Sequence, residues 1–79
     1  SEHVDFKTAL QEEVAKYGKE VSYNVVAVEG PAHERIFTSE VLLDGEILGS
    51  GKGRSKKVSQ QESAKEALEV LRARKGEMP

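Results

Sequence analysis

The sequence predicts an α+β domain with the element order α-β-β-β-α. Three observations lead there. Apolar residues recur at helical spacing near both ends of the chain, and the middle is rich in Tyr, Val, Ile, Phe and Thr. An Asp44-Gly45 pair joins two of the extended stretches. With 79 residues, the chain is one small domain that buries roughly 60–65% of its unfolded surface. It has no cysteine and only two histidines. Neither a disulfide framework nor a usual structural zinc site is available, so packing must hold the fold.

The first helix begins after Asp5, a good N-cap, and closes at Gly18 as a C′ residue. Projected at about 100° per residue, Phe6, Ala9, Leu10, Val14 and Tyr17 fall on one side. Thr8, Gln11, Glu12 and Ala15 gather on the other. The first set is a core face and the second is free.

Extended segments are predicted over 21–29, 35–43 and 46–51. The last two are linked by Asp44-Gly45, a hairpin signal because a type I′ turn needs positive φ at both positions. Five residues, Gly30-Pro31-Ala32-His33-Glu34, separate the first two, which is too long for a tight turn and leaves a projecting loop. The simplest result is an antiparallel sheet of three strands. Gly49, Gly51 and Gly53 recur at period two, giving one face of the third strand no side chains. The final helix could pack there, Gly53 could mark a bulge or exit turn, or a ligand could approach the backbone.

The second helix starts beside Ser55, an N-cap residue, and shows an i, i+3, i+4, i+7 stripe of Ala64, Ala67, Leu68 and Leu71. Extended toward the N-terminus, the same line meets Gln61, Gln60 and Lys57. The expectation is that the first turns overhang the sheet and face a partner. Residues 1–4 read as a linker remnant, 5–74 as the domain and 75–79 as a frayed tail.

The chain carries twelve Lys and Arg against fourteen Asp and Glu, a formal charge of −2, so attraction to a polyanion must be local. Within Gly51-Lys52-Gly53-Arg54-Ser55-Lys56-Lys57, four cations fall in six residues where the strand pattern gives way to the helix. Helix-start amides and the positive end of the helix dipole would there converge with the side chains on an anion. No apolar run approaches the roughly 20 residues that cross a bilayer, and the N-terminus lacks signal-peptide regions. The chain is expected to be cytoplasmic, with no membrane partner.

An α-β-β-β-α order with a Gly-Pro-Ala-His loop and a Gly-Arg-Ser-Lys-Lys junction resembles the double-stranded RNA-binding domain. More narrowly, Lys7-Thr8-Ala9-Leu10-Gln11-Glu12, Glu29-Gly30-Pro31-Ala32-His33 and the stretch 49–57 resemble the C-terminal domain of bacterial ribonuclease III. The resemblance implies two helices on one face of the sheet and binding of duplex RNA by shape. Such domains span about 16 base pairs, touching two successive minor grooves and the phosphates between them. By resemblance, Thr8, Gln11 and Glu12 enter one minor groove and Pro31, Ala32 and His33 the next. Arg54, Ser55, Lys56, Lys57 and Gln60 take the phosphates.

Chemistry suits these roles. A Gln amide both donates and accepts, and a Glu carboxylate can accept from a 2′-hydroxyl that DNA lacks. Taken singly, each segment also has a plainer reading: a solvated helix face, turn chemistry at Gly30 and Pro31, a polar loop histidine, and capping by Ser55. The chain departs from the resemblance at Ser59 and Ser63, where small alanines are common, and at Phe6, where proline is frequent. The added hydroxyls need partners for the helix to pack closely.

No nucleophile-base pair or metal-ligand constellation is evident; Glu12 and Glu13, or Glu62, Glu66 and Glu69, read as helical salt-bridge partners. The chain is therefore expected not to be an enzyme and to need no cofactor, while a ribonuclease III-type parent would carry magnesium in a separate catalytic domain. The isolated domain is expected to be a monomer, with a homodimeric parent compatible. The alternative is a protein-interaction or dimerisation module of the same fold without RNA binding.

Overall fold

In the computed structural model, which describes residues 4–77, helix α1 spans Phe6–Ala15. The Asp5 carboxylate starts it by accepting the Thr8 N–H at 3.1 Å and the Thr8 hydroxyl at 2.8 Å. At the other end the Lys19 N–H bonds to the Val14 carbonyl and the Gly18 N–H to the Ala15 carbonyl. Gly18 adopts φ +69°, and this pair of bonds is a Schellman closure. Tyr17 does not join the core: it lies in the turn beyond the last helical residue and is 65% exposed. A helical projection cannot place a residue that has left the helix.

The strands are β1 (Ser22–Glu29), β2 (Ile36–Leu43) and β3 (Glu46–Gly53). They form one antiparallel sheet in the order β1-β2-β3. Asp44 at φ 51° and Gly45 at φ 79° make the tight turn predicted for the β2–β3 hairpin. Opposite β2, the register shifts between Val41 and Leu42, whose partners are Gly49 and Ile47. This bulge lets the consecutive residues Leu48 and Gly49 both be buried, which regular alternation would forbid. β3 continues to Gly53, two residues past the expected end, because Gly53 still pairs with Phe37.

Helix α2 spans Lys56–Glu77 and lies on the glycine face of β3. A Cβ on Gly49 would stand 2.5 Å from the Ser63 carbonyl oxygen, and one on Gly51 would stand 2.4 Å from the Ser63 nitrogen. At Gly53 it would stand 2.4 Å from Val58 Cγ1. The bare face is thus a seat for the helix. This corrects the expected overhang: the first turns of α2 rest on β3 through Ser59 and Ser63, both fully buried.

The two serines solve their own hydroxyl problem. Ser59 donates to the Lys56 carbonyl and Ser63 to the Gln60 carbonyl, each at 2.8 Å, and the Ser59 and Ser39 hydroxyls meet at 2.6 Å. Further along, Ala64, Ala67 and Leu68 join Leu10, Val14, Val41 and Leu48 in the core between the helices and the sheet.

Nor does the tail begin at residue 75, since α2 runs on to Glu77. Arg74 pairs with Glu46 at the start of β3 and Lys75 with Glu13 on α1, which fastens this end of the helix to two other elements. Residues 78–79 and residues 1–3 of the predicted linker lie outside the described residues; Val4 is exposed. Of the expected helical salt bridges, Glu13 with Lys16 forms at 3.1 Å. Glu66 instead accepts the Ser50 N–H of the outer strand β3 at 3.0 Å.

Candidate nucleic-acid interface

Helix α1 presents Thr8 and Glu12 to solvent and leaves Gln11 half-buried. Thr8 spends its hydroxyl proton on Asp5 but keeps lone pairs to accept with. Gln11 reaches the α1–β1 connection: its amide donates to the Lys19 carbonyl at 3.3 Å and its carbonyl accepts the Val21 N–H at 3.4 Å. Both contacts are long and open to exchange for a better partner. Glu12 makes no side-chain hydrogen bond or ion pair among the described residues.

Pro31, Ala32 and His33 are all exposed in the loop between β1 and β2. Gly30 at φ 88° and a bond from the Glu34 N–H to the Pro31 carbonyl at 2.8 Å shape the loop. A Cβ on Gly30 would meet the Glu34 carbonyl oxygen at 2.7 Å, so glycine is needed there twice over, for conformation and for room. The loop leads directly into β2, where Phe37 pairs with Gly53, the residue before Arg54. Topology therefore sends the loop and the basic junction off the same end of the sheet.

At that junction Ser55 caps α2, its hydroxyl oxygen accepting the Val58 N–H at 3.0 Å. Arg54, Ser55, Lys56 and Lys57 are all exposed, and none of the three cations enters an ion pair among the described residues. Free cations at a helix start, with the positive end of the dipole behind them, suit a phosphate. Gln60 is half-buried and accepts from Lys7 Nζ at 2.8 Å.

The structure also joins the α1 and α2 parts of the site, through residues that the sequence reading did not single out for this role. Gln61 Oε1 accepts the Phe6 N–H at 2.8 Å and the Lys7 N–H at 3.3 Å, and its Nε2 donates to Asp5 Oδ1 at 2.9 Å. Together Gln61 and Asp5 satisfy the first three amides of α1. Asp5, Lys7, Thr8, Lys57, Gln60 and Gln61 line one open polar depression. The signal lay in the line from Leu71 down to Gln61 and Gln60, which turns toward α1 and not to solvent.

Two ionisable groups near this junction are displaced from their ordinary values. Donation by the Gln61 amide, then by Thr8, holds the Asp5 carboxyl down at about 2. Burial pushes the Tyr23 phenol up to about 12, with the nearby Asp5 charge adding to it. The Tyr23 hydroxyl is buried with no hydrogen-bond partner among the described residues, and Lys7 Nζ lies 4.7 Å from the centre of its ring. No group of three or more His, Cys, Asp or Glu is placed to hold a metal, and no helix is long and apolar enough to cross a membrane, among the described residues.

Known proteins are similar to this chain in sequence and in fold. The chain is 53% identical over 70 residues to "Ribonuclease 3" of Staphylococcus aureus strain Mu3, and 51% identical to that of strain JH9. Each match covers 87% of this chain, which spans 29% of the relative's length. Among solved structures, one titled "Structure of Arabidopsis HYL1 and its molecular implications for miRNA processing" superposes with a TM-score of 0.76 at 37% identity. It covers 89% of this chain and 99% of that one. Dicer from Pichia stipitis gives 0.69 at 28% identity, over 82% of this chain and 32% of that one. The pattern described as "Double-stranded RNA binding motif" matches residues 6–71, and the chain belongs to that family.

Proposed function

We propose that this chain binds double-stranded RNA by its shape, as the substrate-binding module of a ribonuclease III-type endoribonuclease. The observation that carries it is the exposure of three features: a polar face on α1, a projecting loop, and a cationic helix start that enters no ion pair among the described residues. Duplex RNA presents shallow minor grooves lined with 2′-hydroxyls, separated by phosphates across a major groove too narrow for side chains. Thr8, Gln11 and Glu12 would enter one minor groove and Pro31, Ala32 and His33 the next. Arg54, Ser55, Lys56, Lys57 and Gln60 would hold the phosphates between them. Glu12, which pairs with no cation among the described residues, is available to accept from a ribose hydroxyl that DNA does not offer.

The relatives named ribonuclease 3 are the reason for placing the module in an endonuclease. In such a protein, cutting and its magnesium ions would belong to a separate catalytic domain, with this domain supplying affinity in the cytoplasm. The domain alone would be a monomer; a homodimeric parent would carry two copies.

Titration with an RNA duplex of roughly 20 base pairs and the matching DNA, at two salt concentrations, tests the reading. Tight, salt-sensitive binding of RNA over DNA is expected. Lys56→Ala with Lys57→Ala should weaken binding to all RNA sequences alike and flatten the salt dependence by roughly one unit of slope per lost phosphate contact. Absence of binding to both duplexes would overturn the proposal in favour of a protein-interaction module.

A further inference from the structure

We propose that Lys7 is an additional phosphate contact, which carries the cationic tract of α2 across to α1 and turns the Gln60 amide so that its NH₂ faces the ligand. The inference rests on the duplex-RNA reading and extends it to a residue on the opposite helix.

No carboxylate lies within ion-pair distance of Lys7 among the described residues, although the chain as a whole carries more acids than bases. Asp5 shares the same depression, but its two oxygens are committed to Thr8 and to the Gln61 amide. The ammonium is held in place nonetheless. Its stem is half-buried, Nζ lies over the Tyr23 ring 4.7 Å from the centroid, and one proton goes to Gln60 Oε1 at 2.8 Å. An ammonium has three donors. A ring face and an amide oxygen are neutral partners, so the full positive charge and a remaining N–H are left for an anion.

The Gln60 amide has two ends, and only the NH₂ end can donate to a phosphate. Lys7 occupies the oxygen end, while Gln60 Nε2 makes no hydrogen bond among the described residues. Lys57 lines the same depression. One side of it thus offers two cations and an oriented amide donor, set between the Thr8 end of the α1 face and the basic start of α2. A lysine that merely supported the fold would be expected to pair with an acid or extend into water.

Lys7→Met keeps the stem over Tyr23 and removes the charge. Counterion release on duplex DNA makes one phosphate contact worth roughly eightfold in affinity between 1 M and 0.1 M salt. The variant is therefore expected to flatten the salt slope for a 20-base-pair RNA by roughly one unit and to lose affinity by about that factor at the lower salt. Lys7→Arg should restore the slope. Gln60→Ala should lower affinity with the slope unchanged, because the amide is neutral. Thermal unfolding confirms that each variant is folded; if Lys7→Met is not, Lys7→Gln replaces it. A wild-type slope in the charge-free variant, or no recovery with arginine, overturns the inference while leaving the duplex-RNA reading intact. Failure of the wild-type chain to bind RNA sinks both.

Discussion

Gln61 of α2 accepts the backbone N–H of Phe6 in α1 at 2.8 Å, so one helix supplies the cap of the other. The two residues are far apart in sequence, yet their bond fixes how the N-terminal turns of the helices sit side by side. Truncation by Gln61→Ala would leave the Phe6 and Lys7 amides unsatisfied and withdraw the donor from Asp5. A loss of about 1–2 kcal/mol is expected, by analogy with the removal of an N-cap. Denaturant unfolding measures it. An unchanged midpoint would mean that water replaces the amide without cost.

Stability should fall away on both sides of neutral pH, for opposite reasons. Asp5 has its folded pKa lowered to about 2 from 3.8, so its contribution is complete above about pH 4 and is lost as the pH falls toward 2. Tyr23 has its folded pKa raised to about 12 from 10.0, so its contribution is complete below about pH 10 and is lost as the pH rises toward 12. Asp5→Asn should flatten the acid limb and Tyr23→Phe the alkaline limb, both read from unfolding curves across pH. Tyr23→Phe should cost little at neutral pH, because the hydroxyl it removes is buried without a partner among the described residues. A wild-type alkaline limb in that variant would show that Tyr23 is not its source.

Gly51→Ala tests the seat of α2 on the sheet. The added methyl would fall 2.4 Å from the Ser63 nitrogen and 2.6 Å from the Glu62 carbonyl carbon, both of them backbone atoms that cannot swing aside. Overpacking of this kind costs about 1–3 kcal/mol, which for a domain of this size lowers Tm by several degrees or more. Calorimetry gives the answer directly, and a Tm equal to wild type would mean that α2 can lift without penalty.

Much of this architecture could be read from local chemistry. Asp44-Gly45 announced its turn, Asp5, Gly18 and Ser55 announced helix ends, and the period-two glycines announced a face where something approaches closely. Each of these depends on only a few neighbouring residues. What escaped depends on distant ones. Gln61 looked like a partner-facing residue because its acceptor role needs α1 beside it, and the hydroxyls of Ser59 and Ser63 still lacked partners because neither Ser39 nor the helix carbonyls could be placed against them. The end of α2 lacks apolar period, and its side chains Arg74 and Lys75 pair with Glu46 and Glu13. The proposed contact residues sit in three short runs, and the structure leaves most of them exposed. The joining of two of those runs through Lys7 and Gln60 was not legible in the sequence.

A sheet of three strands has two open margins, and an open margin invites another chain to dock as a further strand. Here the carboxylate of Glu66 reaches down from α2 and takes the N–H of Ser50, one of the donors that an incoming strand would need. Any newcomer must first evict a charged group that belongs to the same molecule. This flank of the sheet is therefore guarded against growth into a continuous sheet with a strand from another copy.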